Sequence, residues 1–154
     1  MYANLHCHSE YSLLDGLSSV DDLASAASRM GQTHLALTDH GTVSGAIAFV
    51  DACRRHGVTP IIGCEAYTSV RDTAQADRDA QEAKTRHLTI LADGDTGYRS
   101  LLHVVSSASL DGFYHRPRVG RDLLAQHRDG LVVLSGCLGG EVAQRLLVGD
   151  VAGA

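Results

Sequence analysis

The alternation of short apolar runs with longer stretches of helical spacing constrains this chain more than any other feature of its sequence. Ala3–Cys7 is a strand candidate, and Val20–Met30 has helical periodicity, with Asp21 and Asp22 in its first turn and Gly31 as a natural stop. His34–Thr38 (HLALT) predicts a strand and Val43–Arg55 a second helix, ended at Gly57. Thr59–Ile62 (TPII) is a third strand, which Cys64–Val70 either extends or pairs with. Leu88–Ala92 and Leu131–Leu134 read as further strands, Thr96–Ser107 and Gly139–Val148 as helices. Val70–Arg86 is polar, mixed in charge and poor in large apolar residues, which suits an exposed insertion or surface helix. Strand and helix alternating at this spacing predict an α/β fold with a parallel sheet and crossover helices. Five or so strands are too few for an eight-stranded barrel, so the chain is either a small open sheet or the front of a barrel.

With 44% apolar and 20% charged residues in 154, the chain can bury a core, and no apolar run reaches membrane-spanning length. MYANLHCHSE carries no secretory signal. Thirteen basic against eighteen acidic residues, a net charge of −5, argue against a module that grips nucleic acid with a broad basic face. Cys7, Cys53, Cys64 and Cys137 make no CxxC pair, so neither a disulfide framework nor a zinc finger is expected, and a reducing cytoplasm is the expected setting.

Nine histidines are the unusual item. His6 and His8 lie two apart on a predicted strand, so their imidazoles share a face while Cys7 points away. Asp39 and His40 follow HLALT, with Gly41 permitting a sharp turn; Glu65 follows TPIIG, and Cys137 follows LVVLSG. In parallel α/β sheets the loops at the C-terminal strand ends build the site, and here four such ends each offer a metal-ligand type. Asp15, in YSLLDG, reads by itself as a turn residue, and His87 as an ordinary histidine that opens its strand. His34, His56, His103, His115 and His127 lack ligand-type company. Imidazole with carboxylate suits zinc, manganese or iron, and a thiolate tilts the set toward zinc. So many ligands exceed one tetrahedral ion, which points to a multinuclear site and to hydrolysis at phosphorus. No GxSxG, P-loop or GxGxxG competes. An amidohydrolase with a carbamylated bridging lysine is a poor match, because the single lysine, Lys84, falls in the polar insertion.

LHCHSEYSLLDG, LALTDHGTVSGAIAFVDACRRHGVTPIIGCEAY and HLTILADGDTGYRSLL together resemble the PHP (polymerase and histidinol phosphatase) domain. The likeness is to the branch that opens the alpha subunit of bacterial DNA polymerase III, which GFYHRPRV and LVVLSGCLGGEVAQRLLVGD also resemble. It spans nearly all of residues 1–154 and is weakest across Val70–Lys84. The resemblance implies a distorted seven-stranded α/β barrel with a trinuclear metal cluster at the strand C-terminal ends. The ligands it implies are His6, His8, Asp15, His40, Glu65, His87 and Cys137, with Glu65 bridging two ions and Asp39 supporting. The family's last motif, an Asp and a His two residues apart at a strand end, has no counterpart here, nor have the polymerase carboxylates.

What the resemblance implies is a divalent-metal 3′–5′ exonuclease module of a replicative polymerase, with DNA and other replicase subunits as partners and no membrane. A metal-binding structural module is the second implied reading, and a free-standing phosphoesterase of the histidinol phosphate type a weaker third. A barrel short of its last strands exposes sheet edges, so the isolated chain is expected to be marginally stable and to associate. Analytical ultracentrifugation with thermal melts checks this; a cooperative melt of a monomer in dilute solution contradicts it.

Overall fold

A computed structural model of the chain describes residues 2–13, 15–69 and 85–154. Most of the expected insertion, and Lys84 with it, lies outside these residues. The rest is an α/β fold around a mixed, non-closed sheet.

Strand β2 (Thr59–Thr68) organises that sheet, because three strands share its length. Its first half pairs in parallel with β1 (His34–Leu37), from His34 opposite Thr59 to Leu37 opposite Ile62. Its second half, Gly63–Thr68, pairs with β3 (Arg86–Ala92), and there the direction reverses. The last residues, Tyr67 and Thr68, also pair in parallel with β5 (Arg116–Val119). Short β4 (Phe113–Tyr114) runs antiparallel to β5, and β6 (Leu131–Leu134) antiparallel to β3. The expected all-parallel sheet is therefore corrected to a mixed one. The extended Cys64–Val70 run continues β2 as far as Thr68 rather than pairing with it.

Helices form where local signals are strong. Helix α1 (Val20–Arg29) begins at Ser19, whose hydroxyl accepts the Asp22 N–H at 3.1 Å, with Asp21 and Asp22 in the first turn against the helix dipole. Helix α2 (Ala46–His56) ends at Gly57, whose left-handed φ of 69° closes the last turn at no Cβ cost. It starts three residues later than its periodicity suggests, because the preceding residues form a turn in which the Ala46 N–H reaches the Val43 carbonyl. Helix α3 (Gly94–Leu110) exceeds its expected span at both ends. Helices α4 (Arg121–Gln126) and α5 (Glu141–Leu147) are short.

Two apolar clusters hold these layers together. One joins α1 and α2 to β1 through Val20, Ala24, Leu35, Leu37, Phe49 and Cys53. The other packs Leu101, Val104 and Ala108 of α3 on Cys64, Ala66 and Ile90. The small residues on the facing helices let α1 and α2 approach closely, and Phe49, fully buried, fills the space they leave. On β6 alternation fails: Val132 and Val133 are both about half exposed at the outer strand of the sheet.

Truncating Phe49 to Ala is expected to cost about 3–5 kcal/mol, whereas Ile47→Ala two residues earlier, on the exposed face of α2, should cost less than about 0.5 kcal/mol. Urea unfolding of the two variants checks the difference.

Candidate metal centre

The site is organised around one buried carboxylate. Glu65 is 2% exposed and sits where β2 runs on past the end of β1, in an isolated parallel bridge with His40. Its Oε2 lies 2.6 Å from His6 Nε2, 2.9 Å from His8 Nε2 and 3.7 Å from His40 Nε2. Its Oε1 lies 2.9 Å from His87 Nδ1. Asp15 completes the set from the far side, with Oδ2 2.7 Å from His40 Nε2.

The segment carrying His6 and His8 is not the expected strand. Asn4 makes one bridge to Leu35, and the Cys7 carbonyl accepts from the Thr38 N–H, but the chain then leaves the sheet. Side-chain bonds hold it instead. Asp39, 1% exposed, accepts the Ser9 N–H at 2.6 Å and the Ser9 hydroxyl at 2.9 Å, which fixes the backbone beside His8. Thr38 Oγ1 accepts the Cys7 N–H at 2.9 Å, and buried Ser12 accepts the His40 N–H at 2.9 Å. Both carboxylate oxygens of Asp39 are thus engaged with Ser9, and Asp39 stands behind the ligand-type residues rather than among them.

The reversal of β3 explains His87. Because β3 runs antiparallel to β2, its first residues lie against the last residues of β2, with His87 opposite Tyr67. A histidine that opens its strand therefore reaches the same end of the sheet as residues that close theirs. The antiparallel step was invisible in a pattern read as repeated β–α units.

Six residues thus fall into three overlapping groups whose ligand atoms lie within 4.8 Å of one another: His6, His8 and Glu65; His8, Asp15 and His40; His40, Glu65 and His87. Cys137 is exposed and joins none of these groups. Its loop nonetheless lies against β3, since Gly136 (φ 78°) packs so near the His87 carbonyl that a Cβ there would come within 2.4 Å.

Four imidazoles crowd one carboxylate, and their rings interleave. His8 and His40 stack at 4.5 Å, and His40 stacks in turn on Tyr67 at 5.4 Å. The guanidinium of Arg116 lies 4.8 Å over the other part of this column, above Tyr67. Burial pushes the Glu65 carboxyl up, but the bonds from His8 and His6 overcome it and hold Glu65 at about 2. The bond to Glu65 raises His8 against the pull of burial, while burial lowers His87 in spite of its carboxylate neighbour. The nitrogens turned toward the carboxylates, Nε2 of His6, His8 and His40 and Nδ1 of His87, form with them an imidazole and carboxylate donor set that suits divalent cations. On the opposite side of their rings, the Nδ1 atoms of His8 and His40 are buried without a hydrogen-bond partner. The cluster suits a multinuclear metal site.

Beside it opens a cleft of about 420 Å³, walled by Asp15, His40, Tyr11, Tyr67, Arg116 and Pro117. Tyr67 and Arg116 escaped sequence reasoning, since neither is a ligand type and GFYHRPRV carried only a resemblance. The remaining histidines keep other company: His56 beside Asp21, and His103 stacked on His127. No described helix is long and apolar enough to cross a membrane.

Comparison with known proteins agrees with this geometry. The family model of the PHP domain matches residues 4–154. The DNA polymerase III subunit alpha of Treponema pallidum is 44% identical over 148 residues, 96% of this chain and 13% of that protein. That of Thermus aquaticus is 41% identical over 149 residues, 95% of this chain and 12% of its relative. The chain thus spans about an eighth of the length of these curated relatives. Among solved structures, an amidohydrolase from Chromobacterium violaceum with bound sulfate is 25% identical, with a TM-score of 0.51, over 70% of this chain and 33% of that one.

Metal-free protein should lose the Glu65 contribution in acid. A carboxylate held at about 2 stabilises the fold above its ordinary value near 4.5 and ceases to as pH falls toward 2, a loss on the order of 3 kcal/mol. The raised His8 stabilises below 6.5 and ceases to as pH rises past its folded value. The lowered His87 works the other way, its contribution complete above 6.5 and lost as pH falls. Stability of the chelator-treated chain should therefore peak toward the upper end of the range between about 4.5 and 6.5, and added manganese should move the optimum upward, because metal displaces protons. Urea midpoints across pH check both.

Proposed function

The chain belongs to the PHP domain family, and from that premise we propose that it is a metal-dependent phosphoesterase module that hydrolyses phosphodiesters at the 3′ end of DNA, within a replicative polymerase. One observation carries this reading: four imidazoles and two carboxylates form three overlapping ligand groups around Glu65, at the mouth of a cleft with a cationic wall. His6, His8, Asp15, His40, Glu65 and His87 would hold the ions, three in number if each group takes one, with zinc, manganese or iron as candidates. Cys137 joins them if its loop, already seated on His87, turns the thiolate inward. Bound there, such ions supply Lewis-acid polarisation of a phosphoryl oxygen. The protein's own residues do the rest. Asp39 holds the Ser9 backbone and thereby aims His8; Ser12 fixes His40; and Arg116, steadied on Tyr67, offers its guanidinium to the phosphate. The polymerase setting, with DNA and the other replicase subunits as partners, rests on the alpha-subunit relatives.

A second reading has an observation of its own. The segment with His6 and His8 forms no strand and is joined to Glu65 through side chains, so metal could serve there as a structural rivet without chemistry.

Elemental analysis of the untagged chain, purified without chelators, should find two or more ions per chain, and Glu65→Gln should lose them. The metal-loaded chain should then release nucleotides from a 3′-labelled oligonucleotide, with His8→Ala slowing release about a hundredfold or more. Metal uptake with no release, and a lower melting temperature in His8→Ala, would favour the rivet.

A further inference from the structure

A second cavity, of about 620 Å³, adjoins the cleft and shares His115 and Arg116 with it. Arg86 and Arg118 bring two more guanidinium groups, joined by Gln144 and Thr85, and among the described residues its lining includes no carboxylate. Three arginines in one hollow are notable in a chain of net charge −5, because they concentrate positive potential where the overall charge opposes it. Each is placed by structure. Arg118 is largely buried and lies 5.0 Å over the Tyr114 ring. Arg86 directly precedes His87 on β3, and its Nη1 is buried with no hydrogen-bond partner. Arg116 follows His115, whose left-handed φ of 59° forms the one-residue link between β4 and β5. Arg116 also lies over Tyr67, whose ring stacks on His40, and His40 on His8. The basic hollow is thus joined to the metal-ligand cluster by a shared wall and by direct ring contacts.

We propose that this cavity is a phosphate subsite for single-stranded DNA, holding the backbone phosphate next to the one presented at the histidine–carboxylate cluster. The proposal rests on the phosphodiester reading above and extends it. Arginine forks match phosphate oxygens, and several of them in one hollow suit the backbone of a strand. A mononucleotide brings one phosphate and leaves the hollow empty, whereas a strand fills both places. The subsite therefore selects a polynucleotide end over a small phosphomonoester.

The test is binding, read without turnover. A 5′-fluorescein decathymidylate with a phosphorothioate last linkage is titrated by anisotropy into the manganese-loaded full chain at several salt concentrations, and thymidine monophosphate by calorimetry. The oligonucleotide should bind at least tenfold more tightly than the monophosphate. Arg86→Gln, which lies outside the first cleft, should weaken the oligonucleotide about tenfold, leave the monophosphate within about twofold, and flatten the logarithmic salt dependence by about 0.7. Arg86→Lys should restore the slope by keeping the charge. Gln144→Glu, which sets a carboxylate in the hollow and outside the first cleft, gives an independent reading should Arg86→Gln lose manganese or its circular dichroism: the oligonucleotide should weaken about tenfold and the monophosphate stay within about twofold. Equal weakening of both ligands, an unchanged slope, or wild-type protein with no preference for the strand would overturn the subsite. A chain that shows the preference yet cleaves nothing overturns the hydrolytic reading alone; one that cleaves without the preference overturns the subsite alone.

Discussion

A buried carboxylate under four imidazoles is the constraint from which the rest of this structure follows. Glu65 is almost without solvent, and an isolated charge in that position would be costly to bury. The histidines are what makes its ionised form tolerable, and they in turn need Glu65 to hold them against one another. Such an arrangement has two ways of balancing charge, with protons on some of the rings or with cations between the rings and the carboxylates. Protons are held unevenly, His8 gaining and His87 losing affinity for them. Cations would draw on the ring nitrogens and carboxylate oxygens that already face one another.

The scaffold serves that point from several directions at once. β2 delivers Glu65 from within its length, β1 delivers His40 at its end, and reversed β3 delivers His87 at its start. A site fed by parallel strands alone would draw on one kind of strand end; the single reversal lets both kinds meet. The N-terminal segment is the least regular contributor and the most dependent on buried polar bonds, with Asp39 and Thr38 standing where a ladder would otherwise hold it.

Much of this was legible in the residues. The α/β class followed from alternation, and α1 and α2 from their caps and periodicity. Ligand types beside strand ends singled out His6, His8, Asp39, His40, Glu65 and Cys137; the structure gathers His6, His8, His40 and Glu65, binds Asp39 to Ser9 behind them and leaves Cys137 exposed. Asp15 and His87 were legible only through the family resemblance, for distinct physical reasons. A turn aspartate has no local signal that it faces a histidine 25 residues on. A strand-opening histidine is on the wrong side of a parallel sheet, and strand direction is not written in an apolar run such as LTILA. The segment from Ala3 to Cys7 misled in the opposite sense: its composition suits a strand, but Asn4 is its only bridged residue. The β4–β5 hairpin was missed because Pro117 and two arginines disguise β5 as a loop. With it went the wall that brings Arg116 to Tyr67.

That wall gives the molecule an optical property. The chain contains no tryptophan, so nothing masks the ultraviolet emission of its five tyrosines. One of them, Tyr67, lies against the His40 ring and under the Arg116 guanidinium, with the His87 ring edge-on to it as well. Any cation that draws electron density from His40 and His87, or any anion that lifts Arg116 away, alters the electronic surroundings of that one phenol. The folded chain carries its own chromophore in the wall of the cleft, next to the Arg116 that the cleft shares with the basic hollow.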